Sequence, residues 1–320
     1  MNILMIMIMM SIIMAISSNS WFSIWISLEM NMMLFIMILM NKKNQQFVES
    51  AMKYFLIQTI SSIILISSSF YLNYFNTNMV TFIMIMTIIM KLGMFPFHFW
   101  YIEILSKMTW MNMFMMMTLQ KIIPMMLIMY MMKSINLTMM YIIVLMNALV
   151  SSISALNQTN MKKIIGFSSM NQMSWMIMSM FISTNTWIMF MMIYSIINFT
   201  MLMMLEKMKI RTLTQMMMMS NFSMSIVVLS MAGLPPFSGF MIKWIIIQQM
   251  MMNSMIMMVL FLIISSIINL YFYIRMTTSN FMKMKMMMKW NMKNNKKNMM
   301  IIIMIIMTTI SLPILMMMFM

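Results

Sequence analysis

The sequence predicts an all-α polytopic membrane protein of about eleven transmembrane helices, and three observations carry that expectation. Apolar runs of about 18 residues or more recur along the chain, the length a helix needs to cross a bilayer. Across 320 residues, 63% are hydrophobic and only 8% are charged, whereas a soluble domain is about a quarter charged. The 20 Lys and Arg far outnumber the four acids, and they fall mostly between apolar runs, as membrane topology requires. A β-barrel would show short alternating segments instead. The net charge of +16 therefore points to membrane topology rather than to nucleic acid.

Taken in order, the first helix covers roughly Ile3 to Ser17, with no basic leader and no small-residue cleavage site, so it reads as retained. The second covers Trp21 to Met40, the third Ser50 to Leu72, the fourth Met79 to Glu103 and the fifth Met108 to Met132. The next three cover Thr138 to Leu156, Ile164 to Phe181 and Trp187 to Leu205. The ninth spans Phe222 to Gln249, the tenth Ser254 to Arg275 and the last Met299 to Met318. The 72 methionines fall on all faces and read as flexible apolar filler in place of Leu.

Basic residues follow the even-numbered helices: Lys42 and Lys43, Lys107, Lys162 and Lys163, then Lys207, Lys209 and Arg211, and finally the run Lys283 to Lys297. The odd-numbered loops carry only Lys133. This asymmetry places the N-terminus and the even loops on the inner side and, with an odd helix count, the C-terminus on the outer side. The Lys283–Lys297 run reads as a solvated inner loop facing anionic headgroups, cardiolipin among the candidate lipids.

Helix four holds Gly93 and Pro96, and helix nine holds Gly233, Pro235, Pro236 and Gly239. Proline removes a donor and crowds the preceding turn, and within a bilayer such a break survives where protein or trapped water satisfies the freed groups. Each broken helix is the fourth of a set of five. Corresponding breaks in two halves indicate an internal repeat, with ion pathways at the broken helices. Five is odd, so the second copy enters the membrane from the opposite side. The expected organisation is a first repeat over 1–132, an inverted second repeat over 138–276, a basic inner loop over 277–298 and a terminal helix over 299–320.

Four ionisable residues lie near the middle of predicted spans: Glu29, Lys91, Lys121 and Lys243. A charge at mid-bilayer costs about 2.5–3.5 kcal/mol on insertion scales, so four left unpaired would cost on the order of 10 kcal/mol. A lysine near a helix end can snorkel to the interface, but three near span centres are better explained as members of a proton pathway. Glu29 is the natural partner of Lys91. His98, the single histidine, is read equally as a proton relay or as a neutral structural donor. Glu49 and Lys53, four apart on one helix face, form an expected ion pair near the inner mouth, and Glu103 and Lys107 read as interfacial charges at an inner helix end. No dinucleotide fingerprint, P-loop or Cys/His cluster is present, and no cysteine.

The stretches "WISLEMNMMLF", "ESAMKYFLIQ", "KLGMFPFHFWYIE", "LQKIIP", "ALNQTNMKKIIGFSSMNQMSWM", "GLPPFSGFMIKW" and "NLYFYIRM" run in order from helix two to helix ten. In these residues the chain resembles the antiporter-like, proton-pumping subunits of mitochondrial NADH–ubiquinone oxidoreductase, respiratory complex I. The resemblance implies a multi-pass protein of the mitochondrial inner membrane, N-terminus toward the matrix and C-terminus toward the intermembrane space. Its expected partners are the other membrane subunits of the complex. It implies no cofactor in this chain, with FMN, iron–sulfur clusters and ubiquinone in other subunits. By position, Glu29 matches the family's membrane glutamate, Lys91 its partner lysine, Lys121 the central-axis lysine and Lys243 the exit-side lysine. Bacterial relatives carry three further N-terminal helices. Gln172 stands where vertebrate relatives have histidine, and Gln248 and Gln249 where they have glutamates, which puts a relay role there in doubt. The competing expectation is a free-standing cation/proton antiporter of the same architecture.

Overall fold

The computed structural model describes residues 2–40, 45–71, 77–132, 137–218 and 222–287. They form fourteen helices, with no strand among the described residues. The chain divides into two compact units, residues 1–147 and 148–320. Among the described residues six helical segments are long and apolar enough to cross a membrane, with Trp110–Met131 counted as one. Many large apolar side chains are exposed on the helix faces, Ile3, Ile63, Met192 and Ile267 among them, as a lipid solvent allows. The lysine pair at 42–43 and the residues 288–320, with most of the basic run and the predicted last helix, lie outside the described residues.

The first unit holds α1 (Asn2–Ser17), α2 (Trp21–Met40), α3 (Gln45–Tyr71), α4 (Thr77–Leu92), α5 (Phe99–Lys107), α6 (Trp110–Met117) and α7 (Leu119–Met131). α8 (Leu137–Leu156) runs across the boundary. α3 packs against α2, α4 and α5, and α7 packs against α1, α4 and α6. The predicted fourth helix is two helices. α4 ends on Gly93, whose φ of 67° suits glycine, and two bonds close a Schellman cap: Gly93 N–H to Met90 O and Met94 N–H to Ile89 O, both 3.2 Å. Side chains satisfy groups that the break frees. Gln58 Nε2 donates to the Lys91 carbonyl at 3.3 Å, and Phe95 N–H donates to Asn147 Oδ1 at 3.1 Å.

The predicted fifth helix also differs from expectation: α6 and α7 are separated at Thr118. Pro124, inside α7, offers no N–H to the Gln120 carbonyl and crowds it. The helix tightens ahead of it, with Lys121 N–H bonded to Thr118 O at 3.2 Å. The Thr118 hydroxyl donates to Phe114 O at 2.8 Å. Lys121 therefore sits in the first turn of a new helix.

In the second unit α9 (Met161–Ile182) is buried on nearly every face despite its Ser and Asn content. α10 (Thr184–Met208), α13 (Ser238–Met252) and α14 (Ile256–Met287) pack on it. α11 (Leu213–Met218) and α12 (Phe222–Ala232) complete the unit. The predicted ninth helix is divided into α12 and α13, again at a glycine: Gly233 has φ 78°, and Leu234 N–H reaches back to Leu229 O at 3.5 Å. The loops before α9 and after α10 are tied by a β-bridge between Asn160 and Thr212, with Met161 N–H donating to Arg211 O and Leu213 N–H to Thr159 O. α14 continues as helix to Met287, well past Arg275.

Candidate functional site

In the first unit the helix breaks deliver two lysines to one polar cavity. It has a volume of about 20 Å³, and Asn31, Tyr54, Gln58, Lys91, Gln120 and Lys121 line it, enough room and enough polar groups for one water. Lys91 comes from the last turn of α4, beside the break, and is 7% exposed. Lys121 comes from the first turn of α7 and is 2% exposed. Its Nζ lies 5.3 Å from the ring centroid of Tyr101, within cation–π range. Tyr101 in turn lies over Gly93: a Cβ at position 93 would meet Tyr101 Cβ at 2.6 Å. Glycine at the break thus lets α5 fold back closely enough for its tyrosine to carry Lys121.

Uncharged groups bind the cavity wall together. Tyr54 Oη donates to Gln120 Oε1 at 3.0 Å, and Gln120 Nε2 donates to Asn31 Oδ1 at 2.9 Å. Phe35 and Trp100 flank the Tyr54 ring, with centroids at 5.2 and 6.3 Å. Charge alone does not single out Asn31, Tyr54, Gln58 or Gln120 in the sequence. A signal is present all the same: Tyr54 and Gln58 are four apart, hence on one face of α3.

Glu29 does not line the cavity, although its neighbour Leu28 does. It is half-buried and accepts a hydrogen bond from Ser62 Oγ. Among the described residues the ion pairs join Glu49, Lys53, Glu103 and Lys107 in a closed square. Glu29 and Lys91 are not among them. The square includes the expected pair Lys53–Glu49 at 2.9 Å and joins it to Lys107–Glu103 at 3.2 Å through Lys107–Glu49 at 2.5 Å and through Lys53–Glu103. His98 stands at the residue before α5, between Phe95 and Phe99, with ring centroids 6.2 and 4.2 Å away. It is 7% exposed and is not part of the lysine cavity.

Lys243 belongs to the second unit, on α13, and is 7% exposed. Its Nζ lies 5.9 Å from the Trp175 ring centroid on α9. It also rests on the break itself, since a Cβ at Gly233 would stand 3.2 Å from Nζ. α13 approaches the end of α12 through Gly239, where a Cβ would lie 2.1 Å from Ser230 O. Beside this crossing is a second cavity of about 20 Å³, lined by Gln172, Tyr194, Ser230 and Gly239 among others. No group of three or more His, Cys, Asp or Glu that could hold a metal occurs among the described residues.

Comparison with known proteins places this arrangement. The family model for the transmembrane region of NADH:quinone oxidoreductase/Mrp antiporter proteins matches residues 18–82 and 68–269. NADH-ubiquinone oxidoreductase chain 2 of Anopheles gambiae is 34% identical over 295 residues, 88% of this chain and 86% of that one. Two solved structures share the fold. Respiratory complex I from Thermus thermophilus matches with a TM-score of 0.74 and 16% identity, over 87% of this chain and 69% of that chain. The Mrp complex from a Dietzia species matches with a TM-score of 0.76 and 15% identity, over 86% of this chain, which spans 59% of that longer one. A chain of membrane-crossing helices, broken at glycines, with lysines buried at the breaks and such relatives along most of its length, belongs to the NADH–ubiquinone oxidoreductase chain 2 family.

Proposed function

We propose that this chain is a proton-translocating subunit of NADH–ubiquinone oxidoreductase in the mitochondrial inner membrane, built on two inverted five-helix repeats within about eleven membrane helices. Protons move through a relay of Glu29, Lys91, Lys121 and Lys243. Redox chemistry in other subunits, which carry the FMN, iron–sulfur clusters and quinone site, drives them. The observation that carries this reading is the shared burial of Lys91 and Lys121 on one water-sized polar cavity.

The chemistry follows from that geometry. Two ammonium groups bridged by a single water, and so at most about 6 Å apart, would repel by about 3 kcal/mol at an effective dielectric of about 20. The arrangement therefore favours one proton shared between two amines. A Lys91 ammonium passes a proton to a bridging water as that water passes one to the Lys121 amine. Atoms and charge balance, and the excess charge moves by one step. Glu29 favours the charged form of its neighbour when ionised, and releases it when protonated or withdrawn. Lys243 serves the corresponding step in the second unit. His98, enclosed by phenylalanines, is assigned the structural role.

Lys121→Met keeps the volume and removes the titrating group. In the assembled complex it is expected to lower the proton-to-electron ratio while NADH oxidation persists. An assembled Lys121→Met complex with an unchanged ratio would make the lysine structural. The structural neighbour from an Mrp complex keeps a second reading open, a free-standing cation/proton antiporter. Purification in mild detergent separates the two: co-purification with NADH-oxidising activity supports the first, and a lone oligomer exchanging cations for protons supports the second.

A further inference from the structure

Tyr54, Gln58 and Ser62 stand at successive turns of one face of α3, at i, i+4 and i+8, and all three are buried. Two reach members of the proposed relay and the third reaches the chain neighbour of another. Tyr54 Oη donates to Gln120, the residue next to Lys121, at 3.0 Å. Gln58 Nε2 donates to the backbone carbonyl of Lys91 at 3.3 Å. Ser62 Oγ donates to Glu29 Oε1. Glu29, Lys91 and the residue next to Lys121, on α2, α4 and α7, are thus held by one rail of uncharged groups on a fourth helix.

We propose that this α3 rail is the positioning element of the relay, fixing Glu29, Lys91 and Lys121 relative to one another while leaving each free to change protonation. The proposal rests on the proton-relay reading above. Uncharged groups suit the task. An ion pair would pin a lysine in its charged form, whereas a phenol, an amide and a hydroxyl hold neighbours without fixing their charge.

Ser62 shows how. Its hydroxyl also lies 2.9 Å from the Thr59 carbonyl, and one O–H serves one acceptor at a time. When Glu29 is ionised, the Ser62 O–H points to the carboxylate. When Glu29 is protonated, the carboxylic O–H donates to Ser62 Oγ, and the Ser62 hydrogen turns to Thr59 O. Ser62 keeps its own proton in both arrangements, and Glu29 stays in place in both.

The test compares single-group deletions in the intact complex, reconstituted into vesicles: Tyr54→Phe, Gln58→Met and Ser62→Ala, with Ser62→Thr as the conservative partner and Lys121→Met as the control for the relay. The deletions are expected to leave assembly and uncoupled NADH oxidation within about twofold. Each should reduce the proton-to-electron ratio, and should slow proton uptake about fivefold, the effect of losing one hydrogen bond of ordinary strength. Ser62→Thr should restore the wild-type ratio, and Ser62→Ala should add nothing in a Glu29→Gln background. If Tyr54→Phe and Ser62→Ala pump at the wild-type ratio while Lys121→Met does not, the rail is overturned and the relay stands. If Lys121→Met also pumps at the wild-type ratio, relay and rail fall together. Should Gln58→Met fail to assemble, the Ser62→Ala and Ser62→Thr pair decides. Equal loss in both then overturns the proposal, because the hydroxyl is present in only one of them.

Discussion

Gly239 is where one absent methyl group decides whether two helix halves can meet. A Cβ there would stand 2.1 Å from the backbone oxygen of Ser230, and backbone cannot yield as a side-chain end does. Gly239→Ala is therefore expected to cost at least about 1–3 kcal/mol through forced displacement and to reduce the assembled complex seen on a native gel. Gly233 is constrained differently. Its φ of 78° disfavours any side chain, and an added methyl would press on Lys243 Nζ at 3.2 Å. Gly233→Ala is expected to affect pumping before assembly, because a lysine terminus can move aside and thereby leave its place. Normal pumping by an assembled Gly233→Ala complex would show that Lys243 does not need that position. At this scale the charged candidates were legible from their sequence context, since a lysine in an apolar run is conspicuous. Asn31, Gln58 and Gln120 were not, because an uncharged amide can be satisfied by a partner on any neighbouring helix, so its position in the sequence does not say what it meets. Only the fold shows that they converge.

Among the elements, the breaks after α4 and α12 were legible because both signals are local: glycine at the cap and proline two or three residues beyond it. The division between α6 and α7 was not, because its cause, Pro124, stands well past the break at Thr118. The proline in "LQKIIP" was visible as a motif, but the tightened turn ahead of it depends on the Thr118 hydroxyl bonding to Phe114 O. Pro124→Ala returns a donor to the Gln120 carbonyl and lets α7 extend toward α6 as regular helix. Lys121 and Gln120 would then rotate away from the cavity together. The expected result is an assembled complex with a lowered proton-to-electron ratio and a structure in which the Tyr54–Gln120 bond is broken. A retained bond with a lowered ratio would refute this account of the kink.

For the molecule as a whole, function depends on which ends of the helices face the inner compartment. Lysine asymmetry predicts that the even loops lie on that side, and contacts inside each unit are consistent with that grouping independently of how many lysines each loop carries. In the first unit the start of α3, just after Lys42 and Lys43, meets the end of α5 at Lys107 through the square with Glu49 and Glu103. In the second, the loop preceding Lys162 and Lys163 is hydrogen-bonded to the loop holding Arg211. Described segments that adjoin different basic loops thus meet within each unit, as a common membrane face requires. The square itself is exposed, and exposed pairs contribute little to stability. Lys53→Met is expected to leave assembly unchanged, so these contacts report the topology more than they enforce it. The decisive measurement is side-specific labelling of single introduced cysteines, feasible because the chain has none of its own. Gln158→Cys and Asn291→Cys probe the loops assigned to the inner face, and Asn185→Cys probes the outer. In intact, right-side-out membranes a membrane-impermeant thiol reagent should reach position 185 and spare 158 and 291. Opening the membrane should expose all three. Labelling of 291 from the outer face would reverse the assigned orientation of the basic run, and labelling of 158 and 185 from the same face would remove the odd-helix spacing on which the inverted repeat depends.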